Sequence, residues 1–159
     1  MREILCARFC SQHGLGYRFY DRHNIAPAFE FGRGLSYTTF HYSALSITSS
    51  SPPPSGNGSR FVSFTLTNNG SRVGSEVAQL YLEFPAAADE APRQLKAYKK
   101  VHDLQPGASS KVVLELTPRD FSIWSVERKG WEMVSGVFGV VVGSSSRDHR
   151  LRGSVRAKP

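Results

Sequence analysis

Val62-Ser63-Phe64-Thr65-Leu66-Thr67 decides how this chain is read, because apolar and polar residues alternate strictly through it. Successive side chains of an extended strand leave opposite faces, so Val62, Phe64 and Leu66 share one side and Ser63, Thr65 and Thr67 the other. The stretch is a strand with one buried and one wet face, and Asn68-Asn69-Gly70-Ser71 ends it with turn residues. The same period continues downstream. Ala78, Leu80, Leu82 and Phe84 alternate with Val77, Gln79, Tyr81 and Glu83, and Val112, Leu114 and Leu116 alternate with Lys111, Val113 and Glu115. Leu104-Gln105-Pro106-Gly107 supplies the turn before that third run. With Phe138 and Val140, the residues Phe64, Leu66, Leu80, Leu82, Leu114 and Leu116 are the expected core.

Working outward, further strands are predicted at Phe40 to Thr48, Leu95 to Val101, Trp131 to Val134, Val137 to Val142 and Leu151 to Val155. About seven or eight short strands with no sustained helical period after residue 37 describe an all-β antiparallel β-sandwich. Ser49 to Ser59, with Pro52-Pro53-Pro54, is expected to be a mobile loop, since proline donates no ladder hydrogen bond. Residues 1–36 carry Gly14, Gly16, Pro27, Gly32 and Gly34 and no period, so they form an irregular N-terminal extension. The expected division is residues 1–36, belonging to an upstream neighbour, and 37–159, the sandwich.

Size limits the function. A chain of 159 residues can bury a core without disulfides or metals, but an (β/α)₈ barrel alone takes roughly 250 residues. The 40% apolar and 21% charged composition is that of a folded globular protein. A net charge of +7 raises polyanion binding, yet outside Lys99-Lys100 and the tail Arg147, Arg150, Arg152, Arg156 and Lys158 the basic residues are scattered singly. No nucleic-acid partner is expected. No window approaches the roughly 18 apolar residues of a membrane span, so no membrane partner is expected either. The N-terminus lacks the apolar run of a signal peptide. The sequons Asn57-Gly58-Ser59 and Asn69-Gly70-Ser71 suit a secreted parent.

Chemistry-bearing residues find no constellation. Cys6 and Cys10, with His13, have no second ligand pair at zinc spacing, and His23, His41, His102 and His149 stand alone. Metal and cofactor sites are expected to be none. Gly14-Leu15-Gly16 and Gly32-Arg33-Gly34 lack the third glycine and following helix of a phosphate loop, and read as turns. Tyr42, Tyr81, Tyr98, Trp124 and Trp131 are candidates for a sugar-stacking platform, but Trp131 is expected to pack between the sheets and Trp124 beneath the Thr117-Pro118-Arg119-Asp120 turn. Asp120 is expected to serve that turn by bonding to backbone.

The run Phe29-Glu30-Phe31-Gly32-Arg33-Gly34-Leu35-Ser36-Tyr37-Thr38-Thr39-Phe40 resembles the Phe-Gly-x-Gly-Leu-Ser-Tyr-Thr-Thr-Phe junction of family 3 glycoside hydrolases. Gly16-Tyr17-Arg18-Phe19-Tyr20-Asp21 and Asn24-Ile25-Ala26-Pro27 resemble the segment that closes the family's α/β sandwich domain. Val77-Ala78-Gln79-Leu80-Tyr81, Pro92-Arg93, Leu95 to Val101, Thr117 to Phe121 and Val142-Gly143-Ser144-Ser145-Ser146-Arg147-Asp148 follow in the family's order. Arg33 departs from the usual aromatic or His, and Ala97 from the usual Gly. Residues 1–13 match nothing in the pattern, and a misread exon boundary or an alternative start is expected there.

The resemblance implies a fibronectin type III-like, immunoglobulin-like sandwich and a structural role in a β-glucosidase-type enzyme acting on terminal β-glucosides or β-xylosides, secreted as a whole. Its partners would be the catalytic barrel and the α/β sandwich domain. Retaining hydrolysis needs two carboxyl groups about 5–5.5 Å apart, and the resemblance places both upstream of this chain. Catalytic residues here are therefore expected to be none, with Glu76, Glu83, Asp103, Glu115 and Asp120 read as solvated or capping acids and the chain as inactive alone. The rival reading is an independent carbohydrate- or protein-binding module, with weak polysaccharide contact. Without their neighbour, Tyr17, Phe19, Tyr20, Ile25, Phe29 and Phe31 must fold back on the sandwich or face water. Proteolysis is expected to trim the chain to about Gly34 and leave a core from near Tyr37.

Overall fold

The alternating stretches become strands, each carrying its apolar residues to one side. The computed structural model describes residues 15–50 and 58–158. In chain order it contains α1 (Tyr17–Arg22), β1 (Phe40–Ser49), β2 (Arg60–Asn68), β3 (Gly74–Glu83), β4 (Gln94–Leu104), β5 (Ser109–Leu116), β6 (Ser122–Ser125), β7 (Gly130–Met133), β8 (Gly136–Gly143) and β9 (His149–Ala157). Short 3-10 turns lie at Ala86–Ala88 and Pro118–Phe121. One sheet has the order β1-β2-β5 and the other β4-β3-β8-β9, while β6 and β7 make a separate two-stranded ribbon. All pairings are antiparallel. This is an all-β sandwich of a three-stranded and a four-stranded antiparallel sheet.

Register explains the core. Val62 faces Leu114 and Phe64 faces Val112 across β2 and β5, and Leu80 faces Val142 and Leu82 faces Val140 across β3 and β8. The two apolar faces meet, with Tyr42 stacked on Phe64 and Phe121 edge-on to Phe138. Every expected core residue is at most 5% exposed. The β2 end is pinned by Asn68, fully buried, which accepts from Thr38 Oγ1 at 2.7 Å and donates to the Arg72 and Leu104 carbonyls at 2.7 and 2.8 Å. At the β4–β5 turn Gly107 sits at φ 75°, where a side chain would be strained.

Four features differ from, or add to, the reading of the sequence. β6 was not anticipated, and β1 carries a register shift between Ser43 and Ser46 with Ala44 at φ 54°, a bulge. Gln79 and Tyr81, on the outer face of β3, are buried as well, at 4% and 0% exposure. Both tryptophans are 51% exposed: Trp131 is not between the sheets and Trp124 is not under the turn. The physical reason is reach. Trp124 pairs with Trp131 and Ser122 with Met133, so period two puts all four on one ribbon face. Ser122 is buried and Met133 packs on the core at the ribbon's root, whereas the tryptophan pair lies further along it. Of the expected loop at 49–59, residues 51–57 fall outside the described residues.

Candidate interaction surface

Segment 15–36 lies across the outer face of β3 and β8, and that is why Gln79 and Tyr81 are buried. The Tyr17 ring stacks on Phe31 with centroids 4.5 Å apart and meets Tyr81 edge-on at 6.2 Å, while the Leu95 amide donates to the Tyr17 hydroxyl at 2.8 Å. Tyr81 Oη donates to Gln79 Oε1 at 2.6 Å. Gln79 Nε2 in turn donates to the carbonyls of Gly32 at 2.9 Å and Ser144 at 2.6 Å, so one amide ties the segment to the β8–β9 loop. Gly32 has φ +79°, and a Cβ there would meet Gln79 Oε1 at 2.1 Å. Only glycine lets the backbone come this close.

Charge holds the rest. Asp21, whose side chain is 5% exposed, pairs with Arg147 Nε at 3.1 Å, and Arg93 Nη1 lies 3.8 Å from its other oxygen, which makes no hydrogen bond. Arg147 also donates to the Ile25 carbonyl at 2.6 Å, the Ser146 amide to the Phe31 carbonyl at 2.9 Å, and the Ser145 hydroxyl to the Glu30 carboxylate. His149 bridges the base of the cluster, with Arg93 Nη1 3.1 Å and Arg152 Nη2 2.9 Å from its two ring nitrogens. Asp21, Arg93 and Arg147 belong to motifs already recognisable in sequence, but their pairing across the chain was not anticipated there.

Beside the segment a polar cleft of about 880 Å³ opens between Leu35, Thr38, Glu76, Lys100, Asp148 and Arg150. Glu76 is half-buried rather than solvated: Tyr42 Oη donates to it at 2.9 Å, and burial pushes its carboxyl up from the ordinary 4.5. The Tyr42 hydroxyl is itself pushed up by burial and by the Glu76 charge. Burial works against ionisation of Asp148 too, but Arg150 at 2.7 Å and the Ser144 hydroxyl at 2.7 Å hold that carboxyl below its usual range.

The other acids are dispersed. Glu83 faces Arg152 at 3.4 Å, Asp103 and Glu115 are exposed, and Asp120 accepts from the Thr117 amide and hydroxyl, each at 2.8 Å, closing a capping box. Among the described residues no three His, Cys, Asp or Glu side chains gather as metal ligands; Cys6, Cys10 and His13 lie outside those residues. Of the sugar-platform candidates, Tyr42 and Tyr81 are buried, whereas Tyr98, Trp124 and Trp131 are exposed. The segment's outer side stays apolar and open: Phe29, Leu35 and Tyr37 are 82%, 97% and 93% exposed.

The profile of the fibronectin type III-like domain matches residues 76–146. The β-glucosidase cel3A of Pyricularia oryzae is 46% identical over 149 residues, covering 89% of this chain and 19% of that protein. The probable β-glucosidase D of Aspergillus flavus is 44% identical, covering 88% and 20%. Among solved structures, the β-D-glucoside glucohydrolase of Trichoderma reesei superposes with a TM-score of 0.81 at 38% identity, over 89% of this chain and 22% of that one. Coverage this wide exceeds what residues 37–159 supply, so the likeness extends into the preceding segment. The chain spans about a fifth of the length of the curated relatives it matches. It belongs to the fibronectin type III-like part of the family 3 β-glucosidases.

Proposed function

We propose that this chain is the non-catalytic structural module of a secreted β-glucosidase-type enzyme, and that it holds that enzyme's catalytic barrel and α/β sandwich domain through segment 15–37. Residues 1–36 are, on this reading, the last part of the neighbouring domain, and residues 15–36 are latched onto the sandwich. The observation that carries it is the exposure of Phe29, Leu35 and Tyr37 near a latch that holds Asp21 and Gly32 on the sandwich. Large apolar side chains left this exposed mark a surface that another body covers. The exposed sequon at Asn69 agrees with a secreted parent.

The test is a graft. Residues 15–158 replace the equivalent part of the Trichoderma reesei enzyme, and the hybrid is expected to hydrolyse aryl β-glucosides, while the purified chain alone does not. Leu35→Asp with Tyr37→Asp should unfold or inactivate the hybrid and leave the isolated chain's melting unchanged. The reading fails if those changes are silent in the hybrid, or if the chain alone shows turnover that is lost on mutating one of its own acids.

A further inference from the structure

The β6–β7 ribbon carries an aromatic corner that the structural role does not use. Trp124 and Trp131 lie opposite each other in register, with ring centroids 5.7 Å apart and planes at 74°, and each is half exposed. Arg119 covers Trp131, its guanidinium 4.6 Å from the ring centroid. Arg128 pairs with Glu132 at 2.8 Å, but Glu132 alternates with Trp131 and so lies on the ribbon's other face. Two exposed perpendicular rings and the Arg119 guanidinium therefore meet on one face of a short hairpin.

We propose that this corner binds a soluble β-linked gluco-oligosaccharide. A β-glucopyranose ring carries its hydroxyl groups equatorially, so its two faces present C–H groups that pack on an aromatic face, while the hydroxyls at its rim can accept from a guanidinium. Rings at 74° cannot lie flat on a crystalline polymer surface. They can seat one sugar against the exposed side of the pair, which selects a free, flexible chain. The guanidinium of Arg119 rests on Trp131 and keeps N–H groups to donate to hydroxyls. The proposal goes beyond the structural role and needs none of the residues in segment 15–37.

The chain has two tryptophans in all, so its intrinsic indole fluorescence reports on this corner alone. Titrating the full chain with cellotetraose and cellohexaose should shift the emission to the blue, saturating at millimolar sugar. Trp124→Ala, which lies outside the core, should weaken binding about tenfold with the melting temperature unchanged. Arg119→Gln should weaken it less, and maltohexaose, whose α-linked chain curls, should bind more weakly than cellohexaose.

No spectral change with any glucan, or Trp124→Ala binding as wild type does in affinity electrophoresis on soluble β-glucan, overturns the proposal. A blue shift on raising protein concentration without sugar would assign the corner to a second copy. Retardation by β-glucan that the isolated chain shows and the Trichoderma reesei hybrid loses would assign it to the neighbouring domain. Either result also overturns it. Because the titration uses the isolated chain, failure of the hybrid to fold leaves this test intact.

Discussion

The carboxylate of Asp21 and the guanidinium of Arg147 lie 3.1 Å apart, although 126 positions separate them in the chain. The pair joins the segment before the sandwich to the β8–β9 loop, and Arg93 adds a second positive charge within 3.8 Å. A carboxylate this buried is stable only while paired. The latch is therefore electrostatic at one end and a shared amide, Gln79, at the other.

Asp21→Ala removes the partner of two half-buried guanidinium groups without touching the core. The segment should open more often and the sandwich should stay folded. Trypsin cleavage at the exposed Arg33 is expected to speed up about tenfold, the equivalent of about 1.4 kcal/mol of local opening, with little change in global melting. Equal cleavage rates in variant and wild type would mean that the ion pair holds nothing.

Gly32→Ala tests the other end. A left-handed backbone costs a non-glycine residue about 1–2 kcal/mol, and the new Cβ would meet the Gln79 amide, displacing it from its bond to the Gly32 carbonyl. Proteolysis should again accelerate, and the Tyr81 hydroxyl should become accessible to titration. Unchanged proteolysis and hydrogen exchange in segment 15–36 would count against this close approach.

Leu80→Ala probes the sandwich itself. Leu80 is fully buried opposite Val142, so its truncation should cost about 2–5 kcal/mol through lost transfer energy and the cavity left behind. Chemical denaturation should show a lower midpoint with the slope preserved.

Glu76→Gln gives a pH signature. The folded carboxyl is raised above 4.5, first by burial, so the folded state holds its proton more tightly than the unfolded chain does. Its favourable contribution is complete below the unfolded value and is lost as pH rises through the folded one. The amide variant, which keeps an acceptor for the Tyr42 hydroxyl, should therefore melt higher than wild type at neutral pH, and the gap should close as pH falls below about 4.5. A gap that widens on acidification would refute the assignment.

Alternation was enough to place Phe64, Leu66, Leu80, Leu82, Leu114, Leu116, Phe138 and Val140 inside, because a strand sends every second side chain to the same face. The motif runs from Phe29 to Phe40 and from Val142 to Asp148 were legible as well, and with them the family. Their roles were not. Nothing local in Asp21, Arg93 or Arg147 shows that they meet, since the contact depends on how β3, β8 and the β8–β9 loop bring distant positions together. The tryptophans failed for a related reason: β6 was not anticipated, and how far the ribbon carries Trp124 and Trp131 beyond the core is set by where β6 and β7 leave the sandwich. Residue chemistry and spacing set which side chains seek burial. The packing of distant strands sets which of them reach it, because burial depends on what lies opposite in space and not on what lies next in the chain.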